Sequence, residues 1–416
     1  TGFVITHAQD VAALRKAWIG GVIIDTAKGA DLAGTEPTNS VAPNLLRETP
    51  QGDRRLRLRS RISQRRSPRK PRQLPKSCST AAELGRAARI VKKARGMMRE
   101  LLADVRLGKA VNSDKFLPLV EEIAGSLSRN RSTMTSVLRL KHKDEYTYMH
   151  SVSVAALMIN LARELEFSEW KVREAGMAGL LHDIGKMAIA ETILSKPGSL
   201  TDDEFAAVRS HPQRGYALLQ KDNEISVAAM DVALHHHEKV DGTGYPHNLG
   251  GEDISQLARM GAICDVYDAV TSNRPYKAPW IPAVAIREML EWEGHFDKDI
   301  LDAFIRSVGI YPVGSLVSLT SGRLALVMEA ERDDPMRPGV RAFAQAGTRA
   351  ALPIEDIPPG SEMDPIVRAE DPQDHGFAEW ESLWPKLASA ARNKPFAKLE
   401  QALTTWTDEG AVQAAA

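Results

Sequence analysis

The chain has 416 residues, 43% of them hydrophobic, with 54 basic and 54 acidic side chains and a formal net charge of zero. That length suffices for two or three domains with a sizeable core, and the charge balance excludes a general electrostatic pull toward nucleic acid or an anionic surface. Cys78 and Cys264 are too few and too far apart for a disulfide scaffold, no run approaches about 18 consecutive apolar residues, and no signal peptide precedes the first strand, so the chain is expected in the cytoplasm without a membrane span.

Residues 1–31 alternate short apolar runs, Phe3-Val4-Ile5 and Val22-Ile23-Ile24-Asp25, around a helix-like stretch, which predicts a small N-terminal α/β domain. Residues 32–80 turn rich in Pro, Ser and Arg. Such a composition cannot bury enough apolar surface to offset its ordering entropy and reads as a flexible linker. Its basic run from Arg54 through Arg72 has no interleaved aromatics to stack on bases, so no nucleic-acid partner is expected. Over 81–130, Leu84, Ala87, Ile90, Val91, Met97, Met98, Leu101 and Leu102 form a broad apolar stripe. It predicts connecting helices that face the core, transmit a signal or form a dimer seam.

The span 131–312 is read as a helical bundle. Tyr146, Met149, Val152, Val154, Leu157, Met158 and Leu161 recur at near-helical spacing and set His150 beside a buried face. A second apolar helix, Glu169 to Leu181, delivers His182 and Asp183 at its last turn, with Gly185 as its C-terminal cap. Thr201-Asp202-Asp203-Glu204 has the form of a capping box, opening a helix that runs to His211, where Pro212 begins the next. His236 and His237 end a further helix and point roughly 100° apart around its axis. Asp265 lies on the apolar stretch Leu257 to Val270. Beyond the bundle, Val313 to Thr320, Ser321-Gly322 and Leu324 to Met328 predict a β-hairpin extension over 313–370, and 371–416 an amphipathic helix or tail.

A single His-Asp pair is usually a satisfied core pair. A series of imidazoles and carboxylates at helix faces and ends is different: adjacent His182 and Asp183 can hold one divalent metal while the second carboxylate oxygen bridges to another. Nitrogen and oxygen ligands without thiolate suit Fe, Mn or Zn.

The run His236-His237-Glu238-Lys239-Val240-Asp241-Gly242-Thr243-Gly244-Tyr245-Pro246, with Asp265-Val266-Tyr267-Asp268-Ala269 and Arg274-Pro275-Tyr276 after it, resembles the signature segments of the HD-GYP family. The resemblance spans about residues 130 to 330. It implies a mainly α fold, a helical HD-domain bundle with a buried di-metal site, and hydrolysis of cyclic di-GMP to linear pGpG or on to GMP. Carried over, it assigns His150, His182, Asp183 and Asp265 to one metal, and the bridging Asp183 with His211, His236 and His237 to the other, the metals being iron or manganese. Asp183 and Lys186 take catalytic roles, with Lys186 facing a phosphate oxygen or the leaving group. Arg274 and Lys277 clamp the non-scissile phosphate, and Gly244 and Tyr245, in the loop near the site, are counted with them and Lys186 as substrate-binding. Asp268 either orients a ligand or sits on the helix surface, while His142, His235 and His247 are flanking or loop groups. Family members with a third metal carry Glu where this chain has Tyr146, so two metals are expected. The implied partners are cyclic di-GMP and, through the N-terminal region, a second copy or a diguanylate cyclase. A phosphohydrolase of another nucleotide and a non-catalytic cyclic di-GMP or partner-binding module are the competing readings.

Overall fold

The computed structural model describes residues 77–139, 146–194, 196, 198–272, 279–331, 334–348, 350–377 and 379–396. The expected N-terminal domain over 1–31, the linker as far as residue 76, His142, Arg274, Lys277 and the side chain of Tyr146 lie outside these residues.

Helix α1, Thr80–Arg106, starts at the last residue of the predicted linker, because the Ser79 side chain accepts a hydrogen bond from the Ala82 amide and caps it. Its stripe, Ala87, Val91, Ala94, Met98, Leu101, Leu102 and Val105, joins the main core. Helices α2 (Leu117–Arg129) and α3 (Thr133–Arg139) pack on it. Glu83 ties α1 to α2. Its fully buried carboxylate accepts from Ser126 Oγ at 2.9 Å, from Arg129 Nε and Nη2 at 2.7–3.0 Å, and from Arg86 at 3.0 Å.

Helix α4, Tyr146–Glu164, is buried on every side between Met149 and Ala162, as expected of a helix that is apolar around its circumference. It packs most extensively on α5, Glu169–Leu181. Around this pair stand α6 (Asp202–Arg209), α7 (His211–Leu219), α8 (Val227–His235), α9 (Gln256–Thr271), α10 (Pro282–Glu291) and α11 (Lys298–Val308). The predicted capping box is formed in full: Thr201 Oγ1 accepts from the Glu204 amide and the Glu204 carboxylate accepts from the Thr201 amide.

The predicted hairpin is present as β1 (Leu316–Leu319) against β2 (Arg323–Glu329), but it is the centre of something larger. With β3 (Gly339–Gln345), β4 (Ala351–Ile357) and β5 (Ile366–Glu370) it forms a five-stranded antiparallel sheet in the order β4-β3-β2-β1-β5. Side chains alternate between its faces. Leu316, Leu324, Leu326 and Phe343 pack with Trp380, Leu383, Trp384 and Leu387 of α12 (Trp380–Ala388), whereas Val317, Ala325, Val327 and Val340 join Tyr311 and Val313 on the other face. Pro353 and Arg368 lie on the edge strands, and the outer side of β4 is partly covered, since the Ile354 amide donates to the Lys394 carbonyl and the Asn393 amide donates to the Ile354 carbonyl. Arg341 on β3 is buried, pairs with Asp356, and donates to the Leu387 and Ala388 carbonyls at the end of α12.

Candidate metal centre

Five helices bring one residue or two each to a common point. His150 comes from the second turn of α4, His182 and Asp183 from the end of α5, His211 from the first position of α7, His236 and His237 from just beyond α8, and Asp265 from the middle of α9. His150, His182, Asp183, His211, His236 and Asp265 are at most 7% exposed. Their ligand atoms form two groups, His150, His182, Asp183 and Asp265 in one and Asp183, His211, His236 and His237 in the other, with all donor atoms of a group within 4.8 Å of one another. These are the seven residues singled out from sequence, in the same two sets.

Asp183 belongs to both groups because its two oxygens face different ways. Oδ2 lies 3.5 Å from His150 Nε2 and 3.4 Å from His182 Nε2; Oδ1 lies 3.2 Å from His211 Nε2 and 3.8 Å from His236 Nε2. Asp265 Oδ1 lies 2.9 Å from His150 Nε2 and 3.7 Å from His182 Nε2.

The imidazoles are fixed from behind. Nδ1 of His182, His211 and His236 sits 2.7–3.0 Å from the carbonyls of Gly179, Val208 and Val232. A carbonyl only accepts, so each Nδ1 carries the proton and each Nε2 turns toward the centre. His150 Nδ1 lies 2.7 Å from the carboxylate of Asp268, which is buried and so is not on the helix surface.

This donor set fits divalent cations. His182 Nε2 and Asp183 Oδ1 are buried without a hydrogen-bond partner, and Nε2 of His211 and His236 stand 3.3 Å apart. Two lone pairs facing each other at that distance repel unless positive charge lies between them or beside them. Electrostatics agree. Burial opposes ionisation of Asp183 and Asp265, yet Lys186 and His182 hold the first, and His150 and His182 the second, well below the ordinary carboxylate range. Burial, then the neighbouring His237 and His182, keeps His236 neutral, and burial takes His237 down to about 3. His182 is the exception: burial disfavours its charge, but Asp183 and Asp265 outweigh it and lift the pKa to about 10. The two carboxylates favour positive charge in the site, and a divalent cation held there would supply it in place of the His182 proton.

Lys186 follows on a 3-10 turn, Ile184–Ala188, and places its ammonium 2.5 Å from Asp183 Oδ2. Gly185 does not cap α5, whose last residues run directly into this turn. A Cβ at Gly185 would lie 1.9 Å from the His211 carbonyl oxygen and 2.5 Å from the Gly215 amide, so glycine is there to let the turn touch α7.

The signature loop folds back over its own start. Glu238, quoted with the signature but given no role from sequence, is buried and accepts from the amides of His247 at 2.7 Å and Leu249 at 3.1 Å. Tyr245 donates its amide to the His237 carbonyl and stacks its ring on the His237 imidazole at 4.7 Å. Burial, then Asp265 and Asp183, push the Tyr245 phenol up, so it stays protonated. A Cβ at Gly244 would come within 2.5 Å of Glu238 Cα, so this glycine serves close packing of the loop on the His237-Glu238 backbone. His235 pairs with Asp231 at 2.7 Å and with His247 at 3.0 Å, outside both ligand groups.

Residues 127–300 match the HD domain family, and residues 1–116 match DUF3391, a domain of unknown function. The chain is 43% identical over 391 residues to the cyclic di-GMP phosphodiesterase PA4108 of Pseudomonas aeruginosa, a match covering 94% of this chain and 89% of that one. It is 37% identical over 245 residues to the cyclic di-GMP phosphodiesterase response regulator RpfG of Xanthomonas campestris pv. campestris, covering 58% of this chain and 60% of that one. A 3'3'-cGAMP-specific phosphodiesterase of Vibrio cholerae is 40% identical over 148 residues, 35% of this chain and 32% of that one. With its signature loop packed on His237 of a buried His/Asp cluster and this likeness running nearly end to end, the chain belongs to the HD-GYP family of metal-dependent phosphohydrolases.

Proposed function

We propose that the chain hydrolyses cyclic di-GMP to linear pGpG, with a second round giving GMP, and so lowers this second messenger. The observation that carries the reading is one buried carboxylate, Asp183, shared between two histidine-rich groups. His150, His182, Asp183 and Asp265 would hold one divalent cation, and Asp183, His211, His236 and His237 a second, iron or manganese. Two such ions bind a phosphodiester, acidify water and offset the charge of an in-line displacement.

The chain's own groups complete the chemistry. Asp183 keeps the two ion sites in register, and Asp268 holds His150 in the tautomer that ligates. The Lys186 ammonium, drawn in by Asp183, offsets charge on a phosphate or leaving oxygen at the same edge of the site. Arg274 and Lys277 hold the second phosphate, with the guanidinium bridging two oxygens. In this reading 81–130 connects, 131–312 is the catalytic body, and 313–370 with 371–416 forms the sheet and its covering helix. Among the described residues no helix is long and apolar enough to cross a membrane. The substrate is an intracellular messenger, so the cytoplasm is the compartment proposed.

Protein purified anaerobically and supplied with Mn or Fe should release pGpG from cyclic di-GMP, hold about two metals per chain, and lose activity to a chelator. Failure of the metal-replete protein to consume cyclic di-GMP would remove the reading. The likeness to a 3'3'-cGAMP-specific enzyme supports a second reading in which the mixed dinucleotide is preferred, and rates on both substrates decide between them.

A further inference from the structure

Helix α6 buries none of its residues, and its Phe205 is 54% exposed. One turn on, Arg209 sets its guanidinium 5.9 Å from the Phe205 ring centre and 4.5 Å from that of Tyr245, the ring stacked on His237. Among the described residues the Arg209 guanidinium has no carboxylate or hydrogen-bond partner. Core packing therefore explains neither side chain. A half-exposed phenyl ring forgoes burial, and a helix with no buried face is not held in place by the core.

What these groups share is a fit to a purine. An exposed aromatic face stacks a base, and a guanidinium already stacked on tyrosine is oriented, with its N–H edge open to solvent. Guanine presents two acceptors side by side, O6 and N7, which match that fork; adenine places a donor beside N7 and does not. Arg209 lies against Tyr245, and Tyr245 lies against His237, so the guanidinium sits beside the loop that borders the cluster.

We propose that Phe205 and Arg209 form a guanine subsite at the lip of the metal centre, Phe205 stacking the base and Arg209 donating to O6 and N7. The proposal rests on the reading of the chain as a cyclic di-GMP phosphodiesterase and names how that substrate is told from its adenine counterpart.

The test is steady-state kinetics of the full, metal-replete chain on cyclic di-GMP, cyclic di-AMP and bis(p-nitrophenyl) phosphate. Arg209→Ala and Arg209→Lys should raise KM for cyclic di-GMP about tenfold to a hundredfold with little change in kcat, and erode the preference for cyclic di-GMP over cyclic di-AMP by a similar factor. Phe205→Ala should raise KM for both dinucleotides, because stacking is tolerant of base identity, by about tenfold. The losses should be confined to the purine substrates. Equal losses on bis(p-nitrophenyl) phosphate would mean that Arg209 acts through Tyr245 on His237, and the subsite would be wrong. An unchanged KM for cyclic di-GMP would overturn it as well. Wild-type protein that cleaves bis(p-nitrophenyl) phosphate but not cyclic di-GMP would instead overturn the functional reading, and the guanine assignment with it.

Discussion

Asp268 accepts the Nδ1 proton of His150 at 2.7 Å, across 118 residues of sequence, and both side chains are buried. The contact fixes which nitrogen of His150 faces Asp183 and Asp265. Asp268→Ala should therefore weaken metal binding about tenfold to a hundredfold while the helical circular dichroism persists. Competition with a chelator of known affinity measures this, and an unchanged metal affinity would show that His150 needs no such partner.

Asp183→Asn should abolish turnover. The substitution removes the charge that faces both histidine groups, and an amide nitrogen would point at one of them. The fold should survive, because the imidazoles remain anchored through Nδ1. Near wild-type rates on cyclic di-GMP would eliminate the two-ion mechanism.

Gly185→Ala tests position rather than charge. The atoms that the new methyl would strike, the His211 oxygen and the Gly215 nitrogen and Cα, are all backbone, so no side-chain rotation relieves the clash. The turn and α7 must separate, carrying His211 away from Asp183. We expect activity to fall at least about a hundredfold, with metal content dropping toward one per chain by elemental analysis. Full metal content with normal turnover would contradict the close contact.

The fourth prediction concerns stability and pH. Burial by itself would raise the pKa of Glu83, but hydrogen bonds from Arg129, Arg86 and Ser126 bring it down from 4.5 to about 2. The folded value is the lower one, so the stabilisation is complete above about 4.5 and drains away as the pH falls toward 2. At neutral pH, Glu83→Gln should be less stable than wild type by on the order of 3 kcal/mol. Denaturant titrations should show that gap closing through the acid window; a gap independent of pH would mean that the charge on Glu83 does not hold α1 to α2.

The seven clustered residues were legible in the sequence because each is a histidine or aspartate at a helix face or end, and the family resemblance singles them out. Asp268 was not, since its position in sequence is equally that of a surface carboxylate, and only packing of α9 on α4 brings it to His150. Gly185 was misread for a related reason: glycine after a helix signals a cap and a close contact alike. The sheet was half seen. Central β2 holds the continuous apolar run Leu324 to Met328 and β1 breaks its own only at Ser318, whereas β3 carries Arg341 and β4 carries Pro353, Glu355 and Asp356, which hide strand periodicity unless their partners are known. Phe205 and Arg209 gave no signal at all, because an exposed Arg one turn from a Phe is ordinary on a helix surface.

The anchoring of His182, His211 and His236 by carbonyls has a consequence for how the protein acquires its metals. These rings lose their rotational freedom when the chain folds, so metal capture orders little that was loose. A cation that enters would thus meet nitrogen and oxygen donors already in place, and an emptied centre should keep the arrangement of a filled one.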